Sequence, residues 1–141
     1  MKKTEIISKI KALNLPQNSY VVFGSAPLAV AGIREAKDID LFISKKTLSE
    51  LERRDWKKLY KGPKDEPLTF DVFEAHDNWD FSPYSPTLKH LLSTATVVDG
   101  IPFASLEEVK KWKAATGTPK HLADIKLIDE YLANSRRFSL L

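Results

Sequence analysis

The sequence predicts an α+β fold, a mixed β-sheet flanked by helices with further helices at its C-terminal end. Short β-branched and aromatic runs of period two alternate with apolar stripes of helical period, and everything after Phe103 reads as helix. With 141 residues, 43% hydrophobic and 29% charged, the composition is that of one globular domain, taken as residues 1–141.

The elements follow in order. Ile6, Ile7, Ile10 and Leu13 recur every three or four residues and form one helical stripe that ends before Pro16. Tyr20 to Phe23 is a strand ended by Gly24, and Ala26 to Ala31 is a small-residue helix with Pro27 in its first turn. Asp38 to Ile43 is a strand with Ile39, Leu41 and Ile43 on one side and Asp38, Asp40 and Phe42 on the other. Thr47 to Arg54 reads as a surface helix, and Leu68 to Phe73 as one more strand. Residues 76–87 form a turn-rich loop before a helix around Leu88 to Leu92. Thr96 to Val98 and Ile101 to Phe103 flank the hairpin signal Asp99-Gly100, and Pro102, lacking a donor, predicts an edge strand. Ser105 and Glu108 make a capping box for a helix that Gly117 stops. Thr118 and Pro119 then open a last helix whose apolar face carries Leu122, Ile125, Ile128 and Leu132.

Composition excludes several functions. Twenty-two Lys and Arg against 19 Asp and Glu leave only +3, too little for binding nucleic acid by charge alone. Without cysteine there is no disulfide, thiolate zinc site or Cys nucleophile, and His76, His90 and His121 are too scattered for a local zinc motif. Any metal is expected on oxygen ligands. Charges at Lys2, Lys3, Glu5, Lys9 and Lys11 interrupt any signal-peptide core, and no run is apolar enough for a membrane span, so the expected location is cytoplasmic.

The chemistry-bearing pattern is Gly24-Ser25, a short helix, Asp38-Ile39-Asp40-Leu41, and later Phe70-Asp71-Val72-Phe73. Asp38 and Asp40 lie about 7 Å apart on one strand face, and a neighbouring strand about 4.8 Å away would bring Asp71 beside them. Three converging carboxylates repel one another unless a hard divalent cation offsets them, and Mg²⁺ combines a few carboxylates with waters and substrate phosphates. A glycine ending a strand lets backbone approach a ligand, and the next serine and helix N–H groups suit phosphate. The bland alternative is that Gly24 only makes a turn, Ser25 only caps a helix and the acids line a wet face.

In this order the motifs resemble the nucleotidyltransferase superfamily that includes DNA polymerase beta. The closer likeness is to a small branch with abortive-infection toxin and lincosamide-type nucleotidyltransferases, in which a Gly-x-Arg, here Gly32-Ile33-Arg34, precedes the acids. A downstream lysine, Lys113, and the segment Lys120-His121-Leu122-Ala123-Asp124-Ile125 extend the resemblance, with His121 and Thr118 departing from the acid and base usual there. The resemblance implies a minimal nucleotidyltransferase fold and a Mg²⁺-dependent (or Mn²⁺-dependent) enzyme. Such an enzyme transfers a nucleoside monophosphate from an NTP to a hydroxyl acceptor, whether small molecule, protein or RNA. Asp38, Asp40 and Asp71 would be the catalytic metal ligands, with Asp71 serving as ligand or as general base. Gly24, Ser25, Lys113 and Lys120 would bind the nucleotide, with Arg34 a weaker candidate. The alternative is a catalytically degenerate nucleotide- or partner-binding module, such as a toxin–antitoxin component. In either case the short chain leaves room for a homodimer or protein partner to complete the site.

Other features carry weaker expectations. Arg53, Arg54, Lys57, Lys58, Lys61 and Lys64, interleaved with Trp56 and Tyr60, make an RNA-binding patch conceivable but not favoured over a solvated connector. Trp79, Phe81 and Tyr84 offer either an aromatic acceptor pocket or lid packing, and His76, five residues after Asp71, could reach the site as a base or orienter but is more simply a surface residue. Asp124 is read as a helical ion pair with Lys120 rather than as a residue that orients it.

Overall fold

The computed structural model describes residues 1–63 and 65–140, with residues 138–140 described in backbone only. Lys64, counted above in the basic run, lies outside the described residues. In chain order the elements are α1 (Lys3–Ala12), β1 (Tyr20–Phe23), α2 (Ala26–Val30), β2 (Ile39–Ile43), α3 (Lys45–Arg53), β3 (Lys57–Lys58), β4 (Leu68–Phe70) and β5 (Phe73–His76). They continue with α4 (Leu88–Thr94), β6 (Thr96–Val98), β7 (Ile101–Phe103), α5 (Leu106–Thr116) and α6 (Pro119–Leu140). The strands form one mixed sheet in the order β3-β4-β5-β2-β1-β7-β6. The predicted mixed sheet with helices on both faces is therefore present. No described helix is long and apolar enough to cross a membrane.

β1 runs antiparallel to β2 with Phe23 opposite Asp40, and β2 runs parallel to β5 with Asp40 opposite Glu74. Alternation along these central strands sorts the core into two layers. On one face Ile39, Leu41 and Ile43 pack with Ile6, Ile7 and Ile10 of α1 and Leu51 of α3. Full burial of a side chain such as Ile10 or Leu51 stabilises by roughly 1.5–3 kcal/mol. On the other face Val21, Phe23 and Phe42 pack with Trp79, Leu91, Val109, Trp112 and Ile128. Asp40 lies on this second face.

The caps follow local rules. Ser44 accepts from the Thr47 N–H at 3.2 Å, so α3 starts two residues before the predicted Thr47. Ser105 likewise accepts from the Glu108 N–H, but the Glu108 carboxylate is engaged by Tyr84 and His90, which leaves half of the capping box. Gly117 ends α5 with φ 65°, and Thr118 accepts from the His121 N–H at the start of α6.

Two strand expectations are corrected. Leu68 to Phe73 is not one strand: Phe70 pairs with Phe73 across a two-residue turn, Asp71-Val72, so the segment is the hairpin β4–β5. β7 is not an edge either, since it lies between β1 and β6. Its pairing with β1 registers only Val22 opposite Phe103, as expected where Pro102 has no N–H to extend the ladder.

Candidate active site

Gly24 ends β1 with φ +71°, and a Cβ there would lie 2.2 Å from Asp40 Oδ2. Both the backbone conformation and the contact exclude a side chain, so the turn lets the Asp40 carboxylate sit against bare backbone. Ser25 follows as the residue before α2, yet its side chain makes no capping bond. Ser25, Asp38, Asp40, Glu74 and His76 line one cavity of about 550 Å³, closed on its aromatic side by Trp79, Phe81 and Trp112. Trp79 stacks on Phe23 with centroids 4.7 Å apart, and Trp112 meets Phe23 edge-on at 5.5 Å, so the aromatic wall is continuous with the core.

Asp40, Glu74 and His76 each place one ligand atom within 4.8 Å of the others, the only such group among the described residues. His76 Nε2 lies 3.9 Å from Asp40 Oδ1, and Lys61 makes an ion pair with Glu74. Burial, reinforced by the charges of Asp38 and Glu74 and by a hydrogen bond with Glu74, pushes the Asp40 carboxyl up to about 8. Burial holds His76 below its ordinary value despite the acids around it, which keeps the imidazole neutral and its lone pair available. This donor set fits a small divalent cation. Two carboxylates and one neutral imidazole, with Asp38 lining the same cavity outside that group, suit Mg²⁺ or Mn²⁺, with nitrogen more acceptable to Mn²⁺.

Behind Ser25 lies a second charged group of different character. Arg34 donates from Nε and Nη2 to the two oxygens of Asp124, each at 2.8 Å, and from Nη2 to Ser25 Oγ at 2.8 Å. Lys113 Nζ donates to Asp124 Oδ2 at 2.9 Å, and its side chain is 1% exposed. Burial would raise the Asp124 carboxyl, but the hydrogen bonds from Arg34 and Lys113 outweigh it and hold it at about 2.

The predicted site residues thus separate. Gly24, Ser25, Asp38 and Asp40 come together as expected, and Lys120 reaches the cavity rim. Asp71 does not join them. It occupies the β4–β5 turn with φ 53° and accepts from Lys9 Nζ of α1 at 2.8 Å, and α1 packs on the face opposite Asp40. The carboxylate beside Asp40 is Glu74. Lys113 lies behind the cavity wall and is not among the residues lining it, because it pairs with Asp124. Asp124 holds Arg34 and Lys113 rather than Lys120.

Glu74 is the residue that sequence reasoning missed, and His76 the one it weighed and set aside as a surface residue. Their signal was the alternation Phe73-Glu74-Ala75-His76, which reads as a strand once Asp71-Val72 is taken as a turn. Of the loop aromatics, Trp79 and Phe81 line the cavity, whereas the Tyr84 hydroxyl donates to Glu108 at 2.5 Å and fastens the loop to α5. Trp56 of the basic run is buried against Phe70 and offers no stacking surface.

These strands, helices and turns make up the nucleotidyltransferase fold. A protein of Thermotoga maritima assigned as a nucleotidyltransferase superposes with a TM-score of 0.57 at 18% identity, covering 95% of this chain and 96% of its own. ANT(2″)-Ia, solved in complex with adenylyl-2″-tobramycin, superposes with a TM-score of 0.55 at 15% identity, covering 94% of this chain and 88% of its own. No family model matches the sequence, and no curated protein matches it.

Proposed function

We propose that the protein is a divalent-metal-dependent nucleotidyltransferase that moves a nucleoside monophosphate from an NTP to a hydroxyl acceptor. The observation that carries this reading is the register pair Asp40–Glu74 on adjacent parallel strands, set against the bare backbone of Gly24 and beside Ser25 in one cavity. Asp38, Asp40 and Glu74, with His76 alongside, are the candidate holders of Mg²⁺ or Mn²⁺. When bound, such a cation supplies charge neutralisation and Lewis-acid polarisation at the phosphates.

The chain's own groups then have separate tasks. Ser25 and the Gly24 turn receive the terminal phosphates, and Lys120 approaches them from the rim. The aromatic wall of Trp79, Phe81 and Trp112 excludes water from one side of the cavity and offers flat surface to a base or acceptor. In the transfer, the acceptor oxygen bonds to the α-phosphorus as the bond to pyrophosphate breaks, and the hydroxyl proton passes to a carboxylate. On this reading Glu74 takes that proton, a role the family resemblance offered to Asp71 as an alternative to metal binding. A cavity of about 550 Å³ holds a nucleotide and part of an acceptor, which leaves small-molecule, protein and RNA acceptors in play.

The test is a thermal melt of wild type and Asp40→Asn with Mn²⁺ or Mg²⁺ and each NTP in turn. Native-state binding at a hundredfold excess over Kd should stabilise wild type by about 2.7 kcal/mol. A metal-dependent shift with one NTP, absent in Asp40→Asn, supports the reading. No shift with any NTP overturns it, and NTP binding without pyrophosphate release on any acceptor favours the degenerate binding module instead.

A further inference from the structure

A serine hydroxyl has one proton to donate and two lone pairs to accept with. At Ser25 one lone pair already takes Arg34 Nη2 at 2.8 Å, and the side chain makes no bond to the helix it precedes. Ser25 Oγ accepts from Arg34 and donates no hydrogen bond within the described residues, so its single proton stays available, and Ser25 lines the cavity. Arg34 is itself immobilised: Nε and Nη2 grip both oxygens of Asp124, and Nη1 donates to the Glu35 carbonyl at 2.9 Å. Asp124 is anchored in turn by the buried Lys113.

Two cations and one carboxylate leave one positive charge behind Ser25, while Asp38, Asp40 and Glu74 line the same cavity. The resulting field runs across the cavity. A polyphosphate bound to a divalent cation would enter with its free phosphate oxygens toward Ser25 and its cation toward the acids.

We propose that Arg34 is a positioning residue. By donating to Ser25 Oγ it commits the hydroxyl to act as a donor into the cavity, so that Ser25 receives the terminal phosphates and Arg34, held by Asp124 and Lys113, acts through it. This rests on the nucleotidyltransferase reading and deepens it, because charge that sequence alone would place in direct phosphate contact works from a second layer.

The experiment measures binding of inorganic tripolyphosphate with Mn²⁺ by calorimetry, using wild type, Ser25→Ala, Arg34→Lys and the double variant, with the four nucleoside monophosphates as controls. Arg34→Lys keeps a cation beside Asp124 but loses the planar fork. If it melts early, Arg34→Gln replaces it and leaves Asp124 and Lys113 as a balanced pair. The expected result is that each single change weakens tripolyphosphate about tenfold, as losing a hydrogen bond to a charged group does. The double variant should be no weaker than either single one, and nucleoside monophosphates should bind as in wild type.

Multiplicative losses in the double variant, about a hundredfold, would show that Arg34 and Ser25 act separately and would overturn the proposal. So would wild-type affinity in both Arg34 variants, or equal weakening of monophosphates. Failure of wild type to bind tripolyphosphate with Mn²⁺ would overturn both this proposal and the reading beneath it.

Discussion

The cavity is bounded by two charged groups that solve opposite problems. Asp38, Asp40 and Glu74 gather negative charge, with Lys61 paired to Glu74, and burial together with the neighbouring acids lets Asp40 keep a proton to about pH 8. Arg34, Asp124 and Lys113 surround one carboxylate with hydrogen-bonded cations, and Asp124 stays ionised down to about pH 2. The first group is electrostatically incomplete in the chain alone, and in the second the hydrogen bonding of the carboxylate is complete, with one positive charge left over. Incompleteness marks a group that awaits a ligand, whereas completeness marks one that braces the fold and orients its neighbours.

The largest effect expected from this contrast falls on the complete group. Asp124→Ala leaves Arg34 and Lys113 without their buried counter-charge and should destabilise by about 3–5 kcal/mol, read as a lower denaturant midpoint. The wild-type contribution of Asp124 is present above the carboxylate's unfolded value of about 3.9 and fades as pH falls toward 2.

Asp40→Asn should act the other way. If Asp40 holds the cation as proposed, its loss removes several kcal/mol of transition-state stabilisation, roughly a thousandfold in rate. The fold should melt no lower than wild type at pH 8, and a destabilised variant would break the contrast.

Gly24→Ala combines a left-handed backbone with a Cβ pressed on the Asp40 carboxylate. It should cost about 1–3 kcal/mol and weaken cation binding as well. If only stability fell, the close approach of Asp40 to the turn would have no functional meaning.

The pH dependence sharpens the same comparison. Asp40 keeps its proton in the folded chain between about pH 4 and 8, where the unfolded chain has released it, so its stabilising contribution declines as pH rises through that window. A cation must displace that proton, so Mn²⁺ affinity should rise from pH 6 to pH 8 and then level off, whereas Asp40→Asn should show no such rise. The smallest effect is expected at Asp71→Asn, which loosens only an exposed contact with Lys9 and should leave activity and melting temperature near wild type.

Much of this was legible in the sequence because local rules set it. Alternation along Ile39 to Ile43 placed Asp38 and Asp40 on one face, and Gly24 marked a turn that only glycine fits. Asp71 misled because Asp71-Val72 lacks the glycine that usually marks a two-residue hairpin turn, and Leu68 to Phe73 alternates well enough to pass for one strand. Breaking that strand at Asp71-Val72 exchanged Asp71 for Glu74 as the neighbour of Asp40. The Arg34–Asp124 contact spans 90 residues, a separation no local pattern encodes. Pro102 misled for a related reason, since a missing donor shortens a ladder without dictating which strand lies beyond it.

The most direct test of the central claim is calorimetric titration of Mn²⁺, with saturating NTP, into wild type, Glu74→Gln and Asp71→Asn. The account predicts wild-type cation affinity in Asp71→Asn and a loss of tenfold or more in Glu74→Gln, roughly 1.4 kcal/mol or more. Weakened binding in Asp71→Asn with Glu74→Gln unaffected would contradict it and return the third carboxylate to the turn.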